Sequence, residues 1–445
     1  MAATGKPPRV LVLGAGGLIG AFIVGDLIRR GIPVMGVARR FTAAQRAQFG
    51  AIALDMPIGG LDAAALTRLL RESKTEIVVN CLGLLQDTPR QRVGDIHQGF
   101  VARLIEALRN LPTPVLLVQV SVPGQPADDA TAFARSKHTA DEAIAKSGLP
   151  HVILRPGFVF APNAYGGSAL LRALAAMPFD LPPALAARPL ATAAVEDIGA
   201  TVAVLARLWQ EGEWGQAVTW DLMHPGQRPL GDAVASLRAW LGTARQWRVT
   251  MPEFLLTFGA RLGDAVAWLG WRPPLRTTAL AELKRGIVGD PTGWIGVTGL
   301  APRTLDDALR AHPATVQDKW FARLYALKAL IVATLVVFWC VSGLIALTAA
   351  FPAAAAILTA HGFSAIAARD LTPASSIMDI CVGLAIAFRP ACRLGLMAGI
   401  ALSLFYMVAA AVLTPDLWLE PLGALVKTMP AIVLMLVALA ISDER

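Results

Sequence analysis

Cysteine, tyrosine and histidine are scarce in this chain of 445 residues, which holds four, three and six copies of them respectively. The cysteines, at positions 81, 340, 381 and 392, form no CxxC pair, so they indicate neither a disulfide framework nor a zinc site. The histidines show no HExxH or other ligand spacing. We therefore predict no metal site.

Charged residues are also few, at 16% of the chain, whereas hydrophobic residues make up 55% and the mean hydropathy is +0.55. This composition is too apolar for a purely soluble protein, so membrane spans are expected. The net charge of +8 lies entirely in residues 1–323, because six Lys/Arg and six Asp/Glu cancel from residue 324 onward. The sequence lacks the basic stripe with interleaved aromatic residues that is typical of nucleic-acid binding. The positive charge of the soluble part could face anionic lipid head groups. The alternative is a generic basic surface.

A glycine-rich turn follows the first apolar run, in the sequence RVLVLGAGGLIG at residues 9–20. Glycines at this spacing let the chain turn sharply, let backbone N–H groups approach a pyrophosphate and let a helix pack closely on a strand. The N-terminus of that helix would face the phosphates. A glycine turn without a ligand is the alternative. The predicted dinucleotide contacts are Gly14, Gly17, Leu18, Ile19 and Gly20.

Arg39 and Arg40 follow the second predicted strand, at about the point where a Rossmann fold selects its cofactor. Guanidinium groups suit a 2′-phosphate through charge-assisted bidentate contacts, whereas an acidic side chain would suit a free ribose. The sequence therefore favours NADP over NAD, unless the two arginines are only surface charge on a solvated helix cap.

Strands alternate with helices through the first part of the chain, which predicts an α/β Rossmann domain with a doubly wound parallel sheet. The third strand ends at Asp55, the fourth runs into Asn80-Cys81-Leu82-Gly83, and the fifth ends at Ser121. A helix bearing Lys137 and the segment LRPGFVFAP at 154–162 come next.

This ordered set of motifs resembles the atypical short-chain dehydrogenases/reductases, most closely the NAD(P)H-binding branch that includes the accessory Rossmann subunit of respiratory complex I. The resemblance covers about 200 residues. It implies the following cofactor contacts: Asp55 with the adenine, Leu82 and Gly83 with the adenosine ribose, and Pro156 with the nicotinamide.

The chain departs from that family at its catalytic signature, Tyr-x-x-x-Lys, because Phe133 stands where the tyrosine is expected. The resemblance still implies catalytic roles for Ser121 and Lys137, with Lys137 also holding the nicotinamide ribose. Phenylalanine cannot transfer a proton, so either the domain binds NADPH without turning it over or another group supplies the proton. Tyr165 is the candidate acid, or else a loop aromatic that covers the cofactor.

Residues 251–271 are apolar but are interrupted by Glu253, Arg261 and Asp264, and these charges argue against a membrane span. We expect this segment to form a lid over the substrate pocket. A helix lying in the membrane interface, with tryptophans at 268 and 271, is the alternative.

Four apolar segments in the last third of the chain predict four transmembrane helices, at 329–351, 371–388, 394–413 and 423–441. Asp379 and Lys427 lie inside two of them, and we expect the two to pair within the bundle unless Lys427 snorkels to the head groups. Lys and Arg precede the first segment and lie in the turn between the second and third, whereas Arg369 is the sole Lys or Arg in the two opposite loops. The Rossmann domain and both termini are therefore expected in the cytoplasm, with the spans in a bacterial-type inner membrane. Residues 1–9 show no apolar secretory signal, which agrees with this placement.

Residues 317–441 resemble the DoxX-like membrane family, through QDKWFARLY at 317–325, FWCVSGL at 338–344 and EPLGALVKTMP at 420–430. That family includes a membrane subunit associated with thiosulfate:quinone oxidation, so the resemblance hints at a lipophilic substrate such as a quinone. The expected domains are a Rossmann domain with a C-terminal substrate or lid part at 1–310, a linker at 311–328, and an all-α, four-helix DoxX-like domain at 329–445.

Three functions fit these features. The first is a membrane-anchored NADP(H)-dependent oxidoreductase that acts on a quinone, an isoprenoid or a lipid carbonyl. The second, favoured by Phe133, is a nucleotide-binding structural, assembly or sensor protein of the membrane. The third is a membrane carrier or channel that is regulated by its Rossmann domain.

Overall fold

The computed structural model describes residues 6–87, 91–244, 247–419, 423 and 425–442. The chain divides into two compact units, one of residues 1–264 and 274–322, and one of residues 265–273 and 323–445. Residues 420–422 and 424 of the last DoxX-like motif lie outside the described residues, as do the ends of the chain for which we predict a cytoplasmic location.

A seven-stranded sheet forms the centre of the first unit, and all of its neighbouring strands are parallel. In spatial order the strands are β11 (Ala217–Leu222), β6 (His151–Pro156), β5 (Leu116–Val120), β4 (Ile77–Asn80), β1 (Val10–Leu13), β2 (Val34–Ala38) and β3 (Ala53–Asp55). The strand order reverses between β4 and β1, which opens a crevice at their carboxyl ends. The doubly wound parallel sheet that we predicted is confirmed.

Helices cover both faces of this sheet, because successive side chains of each strand point to opposite sides. The helices are α1 (Leu18–Arg29), α2 (Ala43–Phe49), α3 (Ala63–Glu72), α4 (Phe100–Arg109), α5 (Ala132–Ala145) and α8 (Val195–Gln210), and a π-helical turn (Asp95–Gly99) precedes α4. Val10 and Val12 belong to the core that α1 and α8 share. Leu11 and Leu13 belong to the core that α3 and α4 share.

Short strands and further helices complete the first unit. The strands pair as β7 (Phe158–Phe160) with β10 (Thr192–Ala194), β9 (Pro189–Leu190) with β12 (Arg228–Pro229), and β8 (Phe179–Asp180) with β13 (Val249–Thr250). The helices are α6 (Gly166–Ala176), α7 (Pro183–Ala186), α9 (Leu230–Leu241), α10 (Glu253–Ala267), α11 (Thr277–Arg285), α12 (Thr292–Thr298) and α13 (Leu305–Ala311). The last three residues of α10 belong to the second unit.

The second unit is all helical. Its helices are α14 (Val316–Leu347), which begins in the first unit, α15 (Phe351–Ala360), α16 (Ala365–Ala387), α17 (Cys392–Leu413) and α18 (Thr428–Ala440). By length and composition, α14, α16 and α17 can cross a membrane. The fourth predicted span contains α18, whose 13 residues are fewer than the roughly 20 that a span needs. Most of the segment expected as a linker at 311–328, from residue 316 onward, is the start of α14.

Small residues bring α14 and α16 close together. A Cβ at Gly343 would lie 2.5 Å from the Ser376 carbonyl oxygen, and one at Gly383 would lie 2.4 Å from Cys340 Sγ. Residue numbers rise along α14 as they fall along the facing part of α16, so the two helices are antiparallel. Close approach at glycine is typical of helices that pack in membranes.

Asp379 has a different partner from the one that we predicted. The Tyr406 hydroxyl on α17 donates a hydrogen bond to Asp379 Oδ1 at 2.9 Å. Lys427 directly precedes α18 and is exposed, so it lies at a helix end rather than within the bundle. Among the described residues, the predicted pairing of Asp379 with Lys427 is therefore wrong.

Candidate cofactor site

The glycine turn joins β1 to α1 at the crevice. Gly14 has φ of +84°, a backbone conformation that favours glycine. A Cβ at Gly20 would lie 2.4 Å from the Gly14 carbonyl oxygen, so only glycine lets α1 start this close to the strand. The N–H groups of Leu18 and Ile19 fall in the first turn of α1, where a helix offers no internal acceptors. This cradle fits the pyrophosphate of a dinucleotide.

The loop after β2 carries the two arginines. Arg39 and Arg40 are both exposed, and Arg39 Nη1 donates a hydrogen bond to Gln91 Oε1 at 2.8 Å. The Asp55 carboxylate, at the end of β3, accepts a hydrogen bond from the Phe41 backbone N–H at 3.1 Å and forms an ion pair with Arg46. Asp55 therefore fixes the chain that directly follows the arginines.

Lys137 is buried on α5 and reaches the ends of two central strands. Its Nζ donates hydrogen bonds to the carbonyl oxygens of Leu82, at 3.1 Å, and Val120, at 2.9 Å. Burial lowers the pKa of Lys137 to about 8. Burial also raises the pKa of the Cys81 thiol to about 12, so Cys81 stays protonated and is a poor nucleophile.

Ser121 is tied to a buried ion pair that the sequence did not reveal. Its hydroxyl donates a hydrogen bond to Asp141 Oδ2 at 2.7 Å, and Arg155 donates to the same oxygen at 3.3 Å. Burial raises the pKa of Asp141, whereas the serine, Arg155 and Lys137 lower it. The available signal was the spacing of Asp141, four residues after Lys137 and so on the same face of α5.

His97 closes the corner of the site in which the family tyrosine is expected. Its Nε2 accepts a hydrogen bond from the Leu84 N–H at 3.0 Å, so Nδ1 carries the proton and donates to Ser136 Oγ at 2.7 Å. The Phe133 ring packs edge-to-face on the imidazole, with ring centroids 5.7 Å apart. Burial lowers the pKa of His97 to about 3, so the ring is neutral. The sequence did not predict a role for this residue.

The remaining predicted residues take different positions. Gly83 lies near Lys137 Nζ, which would be 3.8 Å from a Cβ at that glycine. Pro156 is buried at the end of β6. Tyr165 directly precedes α6 and is 50% exposed, whereas Ser121 and Lys137 are buried. The structure thus brings Leu82, Gly83 and Lys137 together at the crevice and gives Tyr165 a solvent-facing place.

Comparisons with known proteins find a family match in each part of the chain. Residues 10–177 match the NAD dependent epimerase/dehydratase family, and residues 336–436 match the DoxX-like family. The predicted combination of a short-chain dehydrogenase/reductase-like Rossmann domain with a DoxX-like domain is confirmed.

Individual relatives agree with the Rossmann assignment. A dTDP-6-deoxy-L-talose 4-dehydrogenase (NAD(P)(+)) from Kitasatospora kifunensis is 28% identical over 182 residues, which span 37% of this chain and 56% of that relative. UDP-glucose 4-epimerase from Thermotoga maritima is similar in structure, with a TM-score of 0.52, 15% identity and coverage of 72% of this chain and 99% of that chain. The dTDP-glucose 4,6-dehydratase from Bacillus anthracis, solved with NAD, is also similar in structure. Its TM-score is 0.51, its identity is 14%, and the match covers 72% of this chain and 98% of that chain. At such low identity the structural similarity shows the fold alone.

Proposed function

We propose that this protein is a membrane-anchored, NADP(H)-dependent oxidoreductase that reduces a lipophilic substrate such as a quinone, an isoprenoid or a lipid carbonyl. The observation that carries the proposal is the position of Lys137, whose ammonium reaches the carboxyl ends of β4 and β5 beside the crevice. The DoxX-like domain on the same chain favours a substrate that dissolves in the bilayer.

Different residues of the site would bind different parts of the cofactor. When bound, the cofactor would supply a hydride to the substrate. The N-terminus of α1 suits the pyrophosphate, and the arginines after β2 suit a 2′-phosphate. Since the pKa of Lys137 is about 8, this lysine is mainly protonated at neutral pH, and the one N–H that its two carbonyl contacts leave over can donate a hydrogen bond to a ribose hydroxyl.

A second candidate function is nucleotide binding without turnover, for a structural, assembly or sensing role in the membrane. The packing of Phe133 favours it, because the ring lies against a neutral His97 and provides no proton donor at that position. Under this alternative the buried contacts of Lys137 serve binding only.

The two candidates differ in what the purified protein does with NADPH. We would reconstitute the full chain in nanodiscs and follow NADPH oxidation with a short-chain quinone and with a long-chain aldehyde. The first candidate predicts slow, acceptor-dependent oxidation that Lys137→Met abolishes and Phe133→Tyr accelerates, because the tyrosine restores a proton donor. Tyr165→Phe tests whether that exposed phenol is the acid in the unmodified protein.

Tight NADPH binding without oxidation by either acceptor, in the unmodified protein and in Phe133→Tyr alike, would establish the second candidate instead. Absence of nucleotide binding would exclude both. Phe133→Leu is the matched control, since it changes the ring without adding a hydroxyl.

A further inference from the structure

Helix α10 is apolar on two opposite faces. The buried face consists of Leu256, Ala260 and Gly263. The opposite face consists of Phe254, Phe258 and Leu262, which are 69%, 63% and 52% exposed. Residues four apart lie above one another on a helix, so the three large side chains form one continuous strip. A helix that packs on its own domain needs only the first of these faces.

The acidic residues of α10 lie beside the buried face. Glu253 forms an ion pair with Lys284 of α11 at 2.6 Å. Asp264 pairs with Arg276 at 2.7 Å and accepts a hydrogen bond from the Thr277 hydroxyl at 2.6 Å. The acidic groups are thus turned toward α11, and the exposed strip is left without acidic residues.

The chain directly after α10 is fixed to a turn between two membrane helices. Within the second unit, the Leu269 carbonyl accepts a hydrogen bond from the Arg389 N–H at 2.9 Å, and Trp271 Nε1 donates to the Ala387 carbonyl at 2.6 Å. These partners are the last residue of α16 and a residue of the turn that joins α16 to α17. Because both helices can cross a membrane, their connecting turn lies at its surface, and so does the C-terminal end of α10.

We infer that the exposed strip of α10 is a membrane-docking surface that inserts into the head-group region of an anionic bilayer. Three observations select lipid as its occupant. The strip continues into chain that is held at the membrane surface. Trp268, at 83% exposure, follows it, and tryptophan prefers the interface between lipid and water. Arg261 is exposed on α10 and Arg272 is exposed in the chain that follows it, in a part of the sequence that carries all of the net positive charge.

Photolabelling of the unmodified full-length protein tests this inference. The protein would be placed in nanodiscs of phosphatidylcholine and phosphatidylglycerol that contain a phospholipid with a diazirine near its head group. We expect lipid adducts on the peptide that covers residues 253–262. Val297 of α12 is the internal control, because it is 51% exposed but belongs to no apolar strip, and its peptide should stay unlabelled.

Variants and lipid composition sharpen the result. Phe258→Gln with Leu262→Gln should remove the α10 adducts and leave those on α14, α16 and α17, whereas Val297→Gln should change neither. Replacing phosphatidylglycerol with phosphatidylcholine should lower the α10 labelling, because the basic side chains lose their counter-charge. The adducts on the spanning helices report that each variant is inserted.

Several outcomes would overturn the inference. One is an unlabelled α10 in unmodified protein whose spanning helices are labelled, which would leave the strip in water or under protein. Another is crosslinking of α10 to a second copy of the chain in discs that hold two copies. Equal labelling with and without phosphatidylglycerol would overturn the role of anionic lipid. The outcome does not depend on whether the protein oxidises NADPH.

Discussion

Two exposed arginines after β2 set the expected preference between the nicotinamide dinucleotides. We predict that the protein binds NADPH more tightly than NADH, because Arg39 and Arg40 can pair with the 2′-phosphate. A hydrogen bond to a charged group contributes about 1.5–3 kcal/mol, so Arg39→Asp should weaken NADPH binding by about tenfold or more. Calorimetric titration of the full-length protein with both cofactors measures this.

The control for this substitution is Arg68→Asp, which changes an exposed arginine of α3 and should leave both affinities unaltered. Equal affinities for NADPH and NADH in the unmodified protein would contradict the prediction.

His97 should make the stability of the first unit fall in mild acid. Its pKa is lowered from 6.5 to about 3 by burial, so the unfolded chain takes up a proton in a range in which the folded site does not. Stability is therefore lost as pH falls below 6.5, by about 1.4 kcal/mol for each pH unit well below that value. The apparent melting temperature of the detergent-solubilised protein near neutral pH and in mild acid shows the effect.

His97→Gln is the informative variant for this effect. Glutamine can still accept the Leu84 N–H and donate to Ser136, but it does not titrate in this range. The loss of stability in acid should be smaller in the variant. Identical pH dependence in the two proteins would show that other groups cause the loss.

The sequence identified those site residues that carry a local motif and missed those defined by contact. Lys137 and the glycine turn were recognisable because their spacing within one element implies their use. His97, Asp141 and Arg155 were not, because their partners come from other strands and helices. A histidine beside a backbone N–H becomes visible only when the loop after β4 is placed against the helical turn that precedes α4.

The hydrogen bond from the Tyr406 hydroxyl to Asp379 links α16 and α17 in the second unit. Asp379→Asn and Tyr406→Phe should each destabilise the protein in detergent, and the double variant should lose less than the sum of the two. Hydrogen bonds between membrane helices suggest a coupling of about 0.5–1.5 kcal/mol.

Lys427→Met provides the control for that cycle, since this residue is exposed at the start of α18. The changes in unfolding free energy caused by Lys427→Met and by Asp379→Asn should be additive in the double variant. Strict additivity of Asp379→Asn and Tyr406→Phe would show that the hydrogen bond does not stabilise the folded protein.

Apolar run length predicted where the long helices lie but not where they begin. The helix α14 starts at Val316, inside the expected linker, because Thr315 and Asp318 form a reciprocal cap at its N-terminus. That signal is present in the sequence, but it lies outside the apolar run on which the span prediction rested. The short α15 was likewise missed, since its ten residues are too few to register as a span.

At the scale of the whole molecule, two observations lead us to expect both ends of the helical unit on one side of the membrane. The helices α14 and α16 are antiparallel, so the start of α14 and the end of α16 share a side. Arg389, in the turn after α16, donates a hydrogen bond to the Ser442 carbonyl oxygen at 2.9 Å, which brings the end of α18 to that turn. Because the first unit is joined to the start of α14, we expect it to connect to the same side.

The side in question should be the cytoplasm, because the turn between α16 and α17 and the first turns of α14, before its apolar part, carry Lys and Arg. A green fluorescent protein fused after the last residue should therefore fluoresce in a bacterial host, and alkaline phosphatase fused there should be inactive. Alkaline phosphatase inserted at Gly362, between α15 and α16, should be active, since that turn lies on the opposite side. The reverse pattern would place the Rossmann domain outside the cytoplasm, away from the cellular pool of nicotinamide dinucleotides, and would contradict the proposed oxidoreductase as well as the topology.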